Sequence, residues 1–201
     1  MLKLHYAPNT ISVATAIVLT QTRTPYEAIK VDFATGAQTQ EAYRAVNPKG
    51  RVPALETPDG ILTETPAILE YVAPEMVPQS PFAAARMREL MAYLNGTMHP
   101  HHAHKMRGAR WAREESSFQD MKQMVPLRMA ECCAYLEDLL PRLPFPVGDL
   151  SVVSDAYLYV VLTWLEGDGV DIADFPQLSA FRRTMRVLPA VQTAHDLGML
   201  S

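Results

Sequence analysis

Two hydrophobic rhythms divide this chain. Up to residue 73 short runs at period two alternate with runs at period 3.6, as expected for strands interleaved with helices; beyond residue 82 only the helical period remains. Leu2–Tyr6 predicts a first strand. Ala7-Pro8-Asn9 is a loop, and Thr10 or Ser12 can cap the helix that follows, where Ile11, Ala14, Val18 and Leu19 recur on one face. Thr24-Pro25 ends that helix, and residues 26–31 predict a second strand. Strand, helix, strand implies a parallel pair with a right-handed crossover. A polar stretch over 34–45 accommodates a short helix. Ala54-Leu55-Glu56 and Ile61-Leu62-Thr63 then predict a hairpin around Thr57-Pro58-Asp59-Gly60, which is turn chemistry. Ile68, Leu69 and Val72 return to helical spacing, with Thr65 as the expected cap and Pro66 in the first helical position.

Pro74, Pro78 and Pro81 stiffen the next stretch and end the preceding helix. The expected division is therefore 1–73, a proline-rich linker at 74–82, and an all-helical part at 83–201. Helical patterns cover 83–110, 117–140, 154–166, 177–187 and 189–194.

Composition narrows the function classes. The 201 residues are 48% hydrophobic, enough for a sizeable core. A net charge of −4 gives no electrostatic reason to expect nucleic acid or an anionic membrane surface. The first residues lack the apolar core of a signal peptide, and no apolar run approaches a membrane span, so a cytoplasmic protein is the expectation. The two cysteines, Cys132 and Cys133, are adjacent; their Cα atoms lie about 3.8 Å apart, too close for an ordinary disulfide. They are expected to be reduced and structural, and no CxxC motif exists.

The chemistry concentrates between Asn47 and Val72. An extended Val52 before Pro53, a candidate cis bond, would leave its N–H and C=O free to pair with a peptide as one more strand. The helix start at Thr65 offers free N–H groups and a positive dipole end to a carboxylate, and Glu64 sets a negative charge beside it. An anion site next to an anion suits a ligand carrying both signs, such as a free amino-acid end. A short peptide with an amino-acid head fits the whole stretch, and glutathione is the candidate. The bland alternative is that Thr65 only caps and Glu64 is a solvated charge.

The run Asn47-Pro48-Lys49-Gly50-Arg51-Val52-Pro53-Ala54-Leu55, then Thr63-Glu64-Thr65 and Ala67-Ile68-Leu69-Glu70-Tyr71, resembles the bacterial glutathione transferases. The resemblance extends over nearly the whole chain. It implies a thioredoxin-like N-terminal domain followed by an all-helical domain, and a homodimer in detoxification. Arg51, Val52, Pro53, Glu64 and Thr65 would hold glutathione, with Asn95 and His99 as further contacts. Cysteine-using members of that family carry a cysteine five residues past the strand tyrosine; counting from Tyr6 reaches Ile11, which can neither attack nor donate. Thr10 and Ser12 flank it, and their hydroxyls can stabilise the glutathione thiolate at a helix N-terminus. Tyr6 is a rival donor. The co-substrate would be a small apolar electrophile or a disulfide. The alternative is a non-catalytic protein that kept the fold and lost the chemistry, which Ile11 favours and the intact Val52, Glu64 and Thr65 oppose.

His99, His101, His102 and His104 permit a metal reading, but Pro100 interrupts the run and no nearby Asp, Glu or Cys completes a ligand set; no metal is expected. Met98, Met106 and Trp111 are candidates for an apolar wall, or plain core. The resemblance also implies a capping box at the central helix. Val152 stands where its hydroxyl residue belongs, which leaves Ser151 or Ser154 as a shifted cap, with Asp155 close behind.

Overall fold

A computed structural model describes residues 1–201. Strands β1 (Leu2–Tyr6), β2 (Tyr26–Lys30), β3 (Ala54–Thr57) and β4 (Gly60–Thr63) form one sheet in the order β2-β1-β3-β4. The β1/β2 pair is parallel, and the β1/β3 and β3/β4 pairs are antiparallel. Leu4 lies opposite Leu55, both fully buried, so the register puts the apolar positions of the two central strands on one face. The second strand is assigned one residue short of expectation, yet Val31 N–H still donates to Tyr6 C=O at 2.7 Å.

Helix α1 (Ser12–Gln21) makes the crossover. The spacing predicts one inward face, but every residue from Ser12 to Leu19 is buried, because α3, α7 and α9 all pack on it. Helix α2 (Glu41–Arg44) is the short helix expected in the polar stretch. In α3 (Thr65–Val72) the cap falls on Glu64, whose φ of 73° turns the chain out of β4; Thr65 is already helical, one residue away from its expected place.

Every element after α3 is helical: α4 (Pro81–Tyr93), α5 (His99–Arg107), α6 (Glu115–Leu139), α7 (Val153–Leu162), α8 (Pro176–Arg186) and α9 (Pro189–Asp196), joined by short 3₁₀ and π turns. The helix expected over 83–110 is divided. A π turn over Leu94–Met98 directly precedes α5 and accommodates Pro100, which supplies no N–H to the run.

All ten residues of α7 are buried, which makes it the axis of the helical part. Its cap, Val152, bonds nothing through its side chain, and neither serine substitutes: Ser151 is exposed and the buried Ser154 hydroxyl has no partner. Asp155 instead reaches back, where one carboxylate oxygen accepts the N–H groups of Gly148 (2.8 Å) and Leu150 (3.2 Å). Cys132 and Cys133 are free and buried in α6; burial pushes the Cys133 thiol up to about 12, so it is inert. One apolar cluster runs without interruption from Leu4 in the sheet through α1 and α7 to Leu200. No helix is long and apolar enough to cross a membrane.

Candidate active site

The loop after β1, residues 47–53, the start of α3, helix α5 and Trp164 converge on one cleft of about 600 Å³. The loop after β1 is tied from two directions. Trp164 Nε1 donates to Asn9 C=O at 3.1 Å, and Asn9 N–H donates to Met199 C=O at 2.9 Å, so the C-terminal end holds the loop that carries Thr10. Asn9 sits at φ 57°, a conformation asparagine tolerates.

Thr10 lines the cleft; Ser12 and Tyr6 do not. Ser12 is fully buried behind Thr10, and Tyr6 packs against the apolar core. The hydroxyls form a closed ring. Thr10 Oγ1 donates to Ala7 C=O at 2.8 Å, Ser12 Oγ lies 2.6 Å from Thr10 Oγ1, and Ala7 N–H donates to Ser12 Oγ at 3.1 Å. Ser12 therefore reaches the cleft only through Thr10. Ile11, nearly fully buried at the cap of α1, also lines the cleft, so the cysteine-equivalent position gives it apolar surface and no reacting group.

Residues 47–53 are fixed by the nearly fully buried Asn47. Its Nδ2 and the Tyr43 hydroxyl both donate to Arg51 C=O at 2.7 Å, and its Oδ1 accepts Lys49 N–H at 3.1 Å. Gly50 sits at φ 62° with the space of a Cβ occupied by Gln38 C=O at 2.8 Å, so only glycine fits. The Val52–Pro53 bond is cis, and neither the N–H nor the C=O of Val52 has a partner within the chain.

At the start of α3 the Thr65 N–H and hydroxyl are likewise without partners. Glu64 is half exposed and pairs with Lys49 Nζ at 2.5 Å, which neutralises it in the free protein. Across the cleft, the Tyr157 hydroxyl donates to Asn95 Oδ1 at 3.2 Å, leaving the Asn95 amide N–H groups as donors. Arg51, Val52, Pro53, Glu64, Thr65, Asn95 and His99 thus line the same cleft as Thr10.

The histidines separate by face. His99 and His102 turn to the cleft and Trp164; His101 and His104 pair elsewhere with ring centres 5.9 Å apart. No three His, Cys, Asp or Glu side chains converge as a metal cage. Burial, with nearby His102, Arg110 and Arg51, lowers His99 to about 4, so it is a neutral imidazole at neutral pH. His102 stacks on Trp164 with centroids 4.2 Å apart, and its Nδ1 lies 2.7 Å from Oδ2 of fully buried Asp168. A buried carboxylate in that position fixes the Nδ1–H tautomer and leaves Nε2 without a partner in the chain. Lys105 also approaches Asp168 Oδ1, at 3.4 Å, and its Nζ donates to Gly167 C=O. Met106 and Trp111 line the cleft, whereas Met98 is core.

Sequence reasoning missed the partnership of His102 with Asp168, the role of Trp164, and the arginines Arg107 and Arg110, which also line the cleft. The histidine run was visible, but nothing in the sequence pairs it with an aspartate 66 residues away.

Residues 1–74 match the family model described as the N-terminal domain of glutathione S-transferase. A solved structure from Sulfitobacter, described as a glutathione transferase homolog with bound glutathione, is 49% identical with a TM-score of 0.95, over 100% of this chain and 99% of that one. The chain belongs to the glutathione transferase family. Two curated relatives match at nearly full length. A glutathione S-transferase of Xanthomonas campestris is 28% identical over 96% of this chain and 97% of its own. A maleylacetoacetate isomerase of Pseudomonas aeruginosa is 29% identical over 94% and 93%. Relatives of this transferase thus carry names for different reactions.

Proposed function

We propose that this chain binds glutathione, lowers the proton affinity of its thiol, and transfers the thiolate to a small electrophile or exchanges it with a disulfide. The observation that carries this reading is the set of unpartnered groups that line one cleft: the Val52 backbone and the Thr65 N–H and hydroxyl on one side, and the Asn95 amide across from them. The Val52 edge pairs with the cysteinyl peptide of glutathione. Thr65 and Asn95 take the carboxylate of the γ-glutamyl head, and Glu64 takes its ammonium, sharing it with Lys49. Arg51, next to Val52, faces the glycine carboxylate.

That placement brings the sulfur to Thr10. Its hydroxyl proton swings from Ala7 C=O to the thiolate, while Ser12 continues to donate to Thr10 Oγ1 and polarises it. His102, with Nε2 free, takes the thiol proton, and Asp168 stabilises the imidazolium. In conjugation the sulfur forms a bond to carbon and the leaving group departs with its electron pair. In disulfide exchange it attacks one sulfur, the other leaves as a thiolate, and a second glutathione resolves the mixed disulfide. Neither route needs a protein cysteine.

The separation into residues 1–73 and 83–201 across a proline-rich linker, a cytoplasmic homodimer, and a part in detoxification complete the proposal by resemblance. Side-by-side assays of aryl-halide conjugation and hydroxyethyl-disulfide reduction test it. Glutathione-dependent turnover in at least one supports the enzyme reading. Glutathione binding without turnover in either favours the non-catalytic reading that Ile11 raised.

A further inference from the structure

Three guanidinium groups, Arg51, Arg107 and Arg110, line the cleft, and none lies within ion-pair distance of a carboxylate. Glu64 is the acidic residue in the cleft wall, and Lys49 already neutralises it at 2.5 Å. The nearby imidazole of His99 is held neutral, so it neither adds to nor offsets the charge. Arg51 and Arg107 disfavour the charged form of Arg110 beyond the effect of its burial, so the three sit against their own repulsion. An oxyanion between them would relieve it.

Glutathione accounts for one of the three. Its head is a zwitterion matched by Glu64 with Thr65, and its glycine carboxylate falls to Arg51 beside Val52. Arg107 and Arg110 stand on the opposite wall, at the end of α5 and in the turn after it. Around them are apolar surfaces: Phe33, whose ring centre is 5.7 Å from the Arg107 guanidinium carbon, with Met106 and Trp111. We infer that the second substrate is acidic, an electrophile or disulfide whose apolar body lies on Phe33, Met106 and Trp111 and whose carboxylate is held by Arg107 and Arg110. This rests on the glutathione reading above and adds the charge of the co-substrate to it.

Binding alone tests the inference, without knowledge of the natural electrophile. Calorimetry would compare glutathione, S-benzylglutathione and S-(carboxybenzyl)glutathione on the intact protein, on Arg107→Gln with Arg110→Gln, and on Arg107→Lys with Arg110→Lys. The carboxybenzyl conjugate should bind the intact protein about tenfold or more tighter than the benzyl conjugate, as expected for a charge-assisted pair. The glutamine pair should abolish that preference and the lysine pair keep part of it, with glutathione affinity unchanged throughout. Equal affinity of the two conjugates for the intact protein would overturn the inference and leave the glutathione reading standing. Equal weakening of all three ligands by the glutamine pair would also overturn it, assigning the arginines to glutathione itself. If none of the three binds, the glutathione reading fails and this inference fails with it.

Discussion

Replacing Thr10 with valine exchanges its hydroxyl for a methyl group and so removes the donor that faces the cleft, together with an acceptor for Ser12. Valine keeps the shape, and Ser12, which loses Thr10 Oγ1 as a neighbour, still has Ala7 C=O within 3.3 Å. The fold should therefore stand, and the effect should fall on the bound thiol. A hydrogen bond to a charged group contributes about 1.5–3 kcal/mol, and the neutral bond from Thr10 to Ala7 C=O that it replaces about 0.5–1.5 kcal/mol. The difference is about 1–2 kcal/mol, which at about 1.4 kcal/mol per tenfold raises the pKa of bound glutathione by about 1. Titrating thiolate absorbance in the ultraviolet, with protein and glutathione both saturating, reads this directly. Thr10→Ser should restore the intact value. Ser12→Ala differs in kind, because it strands the Ala7 N–H inside the fold and should lower stability by about 1–3 kcal/mol as well. An unchanged thiol pKa in Thr10→Val, or a serine variant as defective as the valine, would refute the assignment of Thr10 as the donor.

Two other predictions follow from buried carboxylates. Asp168→Asn should lower glutathione-dependent turnover about tenfold or more and alter the pH–rate profile, with glutathione affinity within about twofold, since it keeps an oxygen acceptor for His102 and removes the negative charge beside it; an unaltered profile would count against His102 as the proton acceptor. Burial raises Asp155 from 3.8 to about 7, against its two backbone donors. Because the folded state then holds the proton more tightly, the stability from this group is full below about pH 4 and falls as pH rises towards about 7. Asp155→Asn, which stays neutral and keeps an oxygen acceptor, should gain on the intact protein by about 2–3 kcal/mol between about pH 5 and pH 8 in urea unfolding. A difference that does not vary with pH would contradict the origin assigned to it.

The fold was largely legible because its elements are marked by local chemistry. Thr57-Pro58-Asp59-Gly60 announces a hairpin, and Pro66 and Pro81 both fall in first helical turns. That Val52, Pro53, Glu64 and Thr65 share one cleft was legible for the same reason: they lie within one short stretch that supplies a strand edge and a helix start, and the glutathione role proposed for them rests on that stretch. What escaped the sequence depends on packing between distant segments. Ser12 and Thr10 look equivalent as residues, and only the burial of α1 between α3, α7 and α9 puts one in the cleft and the other behind it. Asp168 carries no signal until α5 brings His102 to it. Arg107 and Arg110 look like an ordinary solvated end of a helix until Phe33 and Arg51 are seen on the facing wall. The serine cap expected at α7 failed because Asp155 serves the preceding loop instead of the helix, which spacing along the chain does not reveal.

The central claim is that the Val52 edge and the Glu64–Thr65 helix start hold glutathione. Calorimetric titration of glutathione into the intact protein and into Glu64→Gln tests it most directly. The substitution keeps the size of the side chain and removes the charge that faces the ligand ammonium. Saturable binding to the intact protein, weakened about 10- to 100-fold in the variant, is the expected result for a lost charge-assisted bond. No binding at about millimolar glutathione, or equal affinity in both proteins, would contradict the account.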